Sequence, residues 1–178
     1  MESRHLPNRR QLLQLAVAGA TCLYLPRGAW CQPRLNVNPF ALGVASGSPT
    51  SDSVVLWTRL HGGAELPTVP IVVQWELAHD EQFTRMVQSG RAVAVPELAH
   101  SVHVEVAALA SDRWYWYRFW VGDALSASGR TRTLPAADAA VARLRLAYAS
   151  CQKWEDGYFT AWRHLRAENL DLVMFLGD

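Results

Sequence analysis

Between Pro39 and Leu134 the chain breaks into short runs of β-branched and aromatic residues, each closed by a cluster of turn formers. That punctuation constrains the fold more than any other feature of the sequence. "FALGVAS" and "SVVLWTRL" are separated by "GSPTSD". "IVVQWELA", "RAVAV", "HSVHVEVAAL", "RWYWYRFWVG" and "GRTRTL" follow, with Gly, Asp and Ser between them. The runs are too short for helices, and "IVVQWELA" alternates in part with the period of a strand. Roughly seven short strands at this spacing predict a β-sandwich. The chain has eight tryptophans, which cluster in β-like segments, and packing on sheet faces accounts for them.

One detail narrows the sandwich type. In "LASDRWYWYRF", Leu109 precedes Tyr115 by one tight loop. This resembles the tyrosine corner of fibronectin-III-like and immunoglobulin-like sandwiches, in which a tyrosine hydroxyl bonds back to the loop backbone. After the last run, "LPAADAAVAR" reads as a linker, because Pro135 cannot continue a ladder and small residues follow it. The pattern then changes. "LRLAYAS" is a strand, and "GYFTAWRHLRAE" places Phe159, Trp162 and Leu165 on one helical stripe. Asp156 is placed to cap that helix and Asn169 to end it in a left-handed conformation. "LDLVMFLG" is nearly continuous in apolar residues, as in a parallel strand buried on both faces. The order is one βαβ unit.

The first 31 residues read as an export signal rather than fold. Arg9 and Arg10 precede the apolar stretch Leu12–Leu25, and small residues follow near a cleavage position close to Gln32. The paired arginines resemble the twin-arginine type of signal. The apolar stretch is too short for a comfortable membrane span, which needs about 20 residues. The expected organisation is a signal over 1–31, a sandwich with its linker over 32–138, and an α/β segment over 139–178. Formal net charge is +1. Cleavage removes Arg4, Arg9, Arg10 and Arg27 against Glu2, leaving about −2. So weak a field argues against nucleic acid as a partner. Cleavage also removes Cys22 and Cys31, so Cys151 stands alone in a compartment where cysteines usually pair.

Cys151 closes the first strand of the βαβ unit and Asp178 closes the second. A crossover of this kind makes the two strands parallel and brings their carboxyl ends to one edge, where open α/β sheets bind ligands. A thiolate and a carboxylate side by side repel unless a cation lies between them, which points to a metal site. A small buried cysteine beside a capping aspartate explains the same two positions equally well. Two donors are also fewer than the three or four that metal sites use. The six histidines add no pair at useful spacing, and His100 and His103 should face opposite sides of a strand.

Four stretches, "PFALGVASGSPTSDSVVLWTRL", "YWYRFWVGDALSASGRTRTLP", "LRLAYASCQKWEDGYFTAWRHL" and "DLVMFLGD", occur in order and resemble the alkaline phosphatase D family of metallophosphoesterases. The resemblance runs from Pro39 to Asp178. It implies a mainly β chain: a sandwich followed by the first βαβ unit of an α/β metallophosphatase domain. It implies hydrolysis of phosphate mono- or diesters outside the cytoplasm, after export by the twin-arginine machinery. It also implies a centre of ferric iron with calcium. The cysteine of the family's "ASCQ" motif binds iron, which carries over to Cys151. The aspartate of its "GD" motif bridges iron and calcium, which carries over to Asp178. A thiolate suits iron, and a carboxylate suits both metals.

The chain departs from the family where "SGDP" is replaced by Gly47-Ser48-Pro49, a turn where little effect is expected. The family also continues past "GD" with a tyrosine and further Asp, Asn and His ligands. The 178 residues are therefore expected to be an amino-terminal piece without activity of its own. Two other readings compete. One is a non-catalytic secreted sandwich that binds a partner, with a vestigial βαβ tail. The other is an enzyme similar to purple acid phosphatases, which Cys151 counts against because those lack a cysteine ligand.

Overall fold

The computed structural model describes residues 37–62, 66–153 and 155–177. The predicted signal, with Arg9, Arg10, Cys22 and Cys31, lies outside the described residues, and so does Asp178. Eight strands build the sandwich: β1 (Val44–Gly47), β2 (Val54–Arg59), β3 (Ile71–Ala78), β4 (Met86–Ala94), β5 (Ser101–Val106), β6 (Trp114–Val121), β7 (Ala124–Leu125) and β8 (Gly129–Arg132). The chain is mainly β, as its punctuation indicates.

One sheet has the order β1-β2-β5. The other has the order β4-β3-β6, with β7 and β8 both pairing β6. Every ladder within these two sheets is antiparallel. Alternation decides the layering. β2 buries Val54, Leu56 and Thr58 and turns Val55, Trp57 and Arg59 outward. β6 buries Tyr115, Tyr117, Phe119 and Val121 and turns Trp114, Trp116, Arg118 and Trp120 outward. The inner rows of the two sheets form one apolar cluster, the arrangement a period of two requires of stacked sheets.

The loops are held by the groups their sequences offer. In the "GSPTSD" turn, Thr50 N–H donates to Ser53 O at 2.9 Å and Thr50 Oγ1 donates to Asp52 Oδ1 at 2.8 Å. The tyrosine corner is present. Ala110 N–H donates to Tyr115 Oη at 2.9 Å, and Tyr115 Oη donates back to Ala110 O at 3.3 Å. A buried phenol is thereby satisfied while the loop before β6 is pinned. Tyr117 lies opposite Gly129, and a Cβ at Gly129 would collide with the Tyr117 ring. Burial pushes the Tyr117 phenol up to about 12, against a smaller opposing effect of its hydrogen bond with Ser46.

Past Arg132, residues 133–145 contain neither strand nor helix. β9 (Leu146–Ala149), α1 (Thr160–Ala167) and β10 (Leu172–Phe175) then form the βαβ unit. Three details differ from the sequence expectation. Asp156 does not cap α1: Phe159, at φ 53°, precedes the helix, and Asp156 pairs with Lys153 at 2.9 Å instead. A charged neighbour three residues away outcompetes a helix start four residues on. The helix ends at Glu168 in extended conformation, so Asn169 is not its left-handed cap. β10 is not buried on both faces: Met174 and Phe175 are exposed, because α1 covers only part of the pair.

Candidate functional site

β9 and β10 are parallel and directly paired, from Leu146 opposite Leu172 to Ala149 opposite Phe175. The pairing continues past the strands. Leu176 N–H donates to Ala149 O at 2.9 Å, and Cys151 N–H donates to Gly177 O at 3.1 Å. The carboxyl ends therefore share one edge, and residue 177 is tied to Cys151.

The backbone at that edge is unusual. Cys151 has φ 56°, a left-handed conformation that costs a side-chain-bearing residue energy. Gly177 has φ 87°, which glycine adopts freely. Open space lies where a Cβ would stand at Gly177, so a ligand can approach the backbone there. Left-handed residues of this kind gather at functional sites. Cys151 is exposed. Its Sγ donates to Ser150 Oγ at 3.5 Å.

Two supports of this edge are not apparent from sequence patterning. Trp162 Nε1 donates to Gln152 Oε1, beside Cys151. The Trp162 ring stacks on Phe175, with centroids 5.2 Å apart and planes at 24°. The inward stripe of α1 thus holds both strand ends, through Gln152 after β9 and Phe175 in β10. The sequence carries one hint: an indole N–H on the stripe that packs against the sheet needs an acceptor.

Among the described residues no group of three or more His, Cys, Asp and Glu side chains could hold a metal ion. His100 and His103 both belong to the sandwich. His100 is buried with Nδ1 at 3.3 Å from Ala94 O, whereas His103 points outward from β5. Cys151 is thus the described donor at the edge. Its exposed thiol fits a transition metal, and the carboxylate of Asp178 would add an oxygen donor suited to iron or calcium. Among the described residues no helix is long and apolar enough to cross a membrane.

The family model for the N-terminal domain of PhoD-like phosphatases matches residues 27–135, and the model for PhoD-like phosphatases matches residues 146–178. Alkaline phosphatase D of Bacillus subtilis (strain 168) is 51% identical over 150 residues, which are 82% of this chain and 26% of that protein. A solved structure of PhoD matches with a TM-score of 0.79 at 51% identity, over 82% of this chain and 29% of that one. The chain therefore spans about a quarter of the length of the curated relative it matches. With the sandwich, the tyrosine corner and the parallel pair in place, and with one family model covering well over half of the residues, the chain belongs to the PhoD-like phosphatase family.

Proposed function

We propose that the chain is the amino-terminal part of an exported, metal-dependent phosphoric ester hydrolase, acting on phosphate mono- or diesters. The observation that carries this reading is the edge where Cys151 and Gly177 are hydrogen-bonded at the ends of two adjacent parallel strands. It is supported by the 51% identity to alkaline phosphatase D. Residues 1–31 serve as a twin-arginine export signal in this reading, led by Arg9 and Arg10.

Cys151 would hold ferric iron as a thiolate, and Asp178 would hold iron and calcium through its carboxylate. When bound, such metals stabilise the charge that develops on phosphoryl oxygens during ester cleavage. The chain's own contribution is to place the donors. The Cys151 N–H to Gly177 O bond fixes the separation of the two strand ends. Trp162 holds Gln152 and Phe175, so the residue after Cys151 and the strand before Gly177 are braced from one helix. Such bracing matters because misplaced donors lose both affinity and geometry. Two donors are too few to complete a centre, so the 178 residues by themselves do not turn over ester.

The test uses a complete family member carrying these residues. Cys151→Ser removes most of the iron, read by metal analysis, together with most of the turnover of a chromogenic phosphate ester. Unchanged iron content in that variant would move the ligand role elsewhere. The isolated chain shows no turnover with added iron and calcium, and steady turnover that Cys151→Ala abolishes would overturn that statement. Secreted protein begins near Gln32 on N-terminal sequencing, and a mature chain retaining Arg9 would refute the export signal.

A further inference from the structure

Arg132 closes β8, and its guanidinium reaches beyond the sandwich. One Nη donates to Asp112 Oδ1 in the turn before β6, and the other donates to Asp171 Oδ1 immediately before β10. Its Cζ lies 5.5 Å from the ring centroid of Trp114, which Arg130 also covers at 4.1 Å. Arg132 Nε has no hydrogen-bond partner among the described residues, so the two Nη donors alone orient the fork. Asp171 is equally engaged. Its Oδ2 accepts from Arg145 N–H at 2.9 Å, and its own N–H donates to Arg145 O at 2.8 Å. One carboxylate therefore joins the sandwich, the residue that leads into β9 and the head of β10.

The connection through residues 133–145 has no regular structure. A cavity of about 470 Å³ is lined by Ser46, Trp114 and Arg130 of the sandwich and by Leu165 and Phe175 of α1 and β10. The Arg132 and Asp171 side chains are only 23% and 22% exposed. They differ in this from the solvated ion pairs that contribute almost nothing. The planar fork of arginine can serve two carboxylates at fixed angles, which the single ammonium of lysine cannot do.

We propose that Arg132 is a positioning residue: through Asp171 it sets the orientation of the β9–β10 pair on the sandwich, and with it the placement of the Cys151 edge. Asp171 and Gly177 stand at opposite ends of β10, about 20 Å apart along extended backbone. A small rotation at the head of the strand is therefore magnified at its carboxyl end. The consequence for catalysis rests on the hydrolase reading above, whereas the structural claim does not.

Residue-resolved amide hydrogen exchange on this chain tests the structural claim. In Arg132→Leu, exchange of the Leu176 and Cys151 amides quickens about tenfold or more, while Leu60 and Ser126 in the sandwich keep their rates. Arg132→Lys falls between that variant and the wild type. Unchanged rates at Leu176 and Cys151 overturn the proposal, and so does an equal rise at Leu60 and Ser126. Should Arg132→Leu fail to fold, Asp112→Gly carries the test, because glycine accepts the φ of 51° at that position. It removes one anchor of the fork and should quicken the same two amides about threefold, and no change there overturns the proposal as well. In a complete family member, Arg132→Leu lowers kcat for a chromogenic phosphate ester while KM holds, and Arg132→Lys restores part of kcat. A loss confined to KM would show substrate binding rather than positioning and would overturn the catalytic role. If the wild type shows no turnover, the hydrolase reading fails and the exchange result still stands.

Discussion

The sandwich and the parallel strand pair handle the same kind of residue in opposite ways. Among the described residues, every buried side chain lies at or before Thr133. Leu56, Val73, Phe119 and their neighbours on both sheets have almost no contact with solvent. In the strand pair, Tyr148 is 68% exposed and Phe175 is 73% exposed. Both regions are rich in apolar residues, so composition does not separate them. An antiparallel sandwich supplies both walls of its core from one stretch of chain. A parallel pair needs a layer on each face, and here α1 supplies part of one. Two strands are also near the lower limit for a sheet in water. The sandwich should therefore carry the stability of these residues, and the pair should answer to local contacts.

The sharpest way to break this contrast is Gly129→Ala. The added methyl meets the Tyr117 ring inside the sandwich, and overpacking of this kind costs about 2–3 kcal/mol. Urea unfolding followed by tryptophan fluorescence should show the loss, and an unchanged midpoint would mean that Tyr117 has room to move.

Tyr115→Phe comes next. It leaves the Ala110 N–H without its acceptor, at a cost of about 1–2 kcal/mol. Ala110 O keeps its bond from Thr133 Oγ1 at 2.7 Å, which limits the damage. A loss as large as that of Gly129→Ala would show that the corner orders more than its own loop.

Acid should loosen the strand pair. The Arg145 N–H, with help from the charges of Arg132 and Arg143, holds the Asp171 carboxyl below its ordinary value of 3.8. A carboxylate depressed on folding contributes stability that is complete above its unfolded value and lost as pH falls through its folded one. The protection of the Leu176 amide relative to its intrinsic exchange rate should thus be flat above about pH 4 and fall below it. In Asp171→Asn that acid-dependent loss of protection should vanish. If both proteins respond alike, another group controls the acid response.

The smallest effect is expected at the exposed end of β10. Phe175→Ser should leave sandwich stability within about 0.5 kcal/mol of the wild type, although it removes the Trp162 stack. A larger shift in the urea midpoint would mean that the two regions unfold as one unit.

Much of the sandwich was legible because its signals are short-range. The alternation in "SVVLWTRL" and "RWYWYRFW" decides which side chains face inward, and the spacing of Leu109 from Tyr115 announces the corner. The helix boundaries were less legible. Asp156 has the chemistry of a cap, but Lys153 engages it, and a left-handed Phe159 starts α1 instead. At the candidate site, the parallel strand ends followed from the βαβ order, while Asp178, which the sequence places there with Cys151, lies outside the described residues. The exposure of Cys151 and its φ of 56° did not follow from that order.

By itself the sequence determined the two-sheet architecture, the tyrosine corner, the parallel pairing of β9 with β10 and the family motifs. Each depends on residue period or on neighbours a few positions apart. Tertiary contact alone brings Arg132 to Asp171, 39 positions away, and Trp162 to Gln152, 10 positions away. Such pairs depend on where the chain returns in space. Periodicity records which face a residue takes and carries no information about which distant residue will stand opposite it.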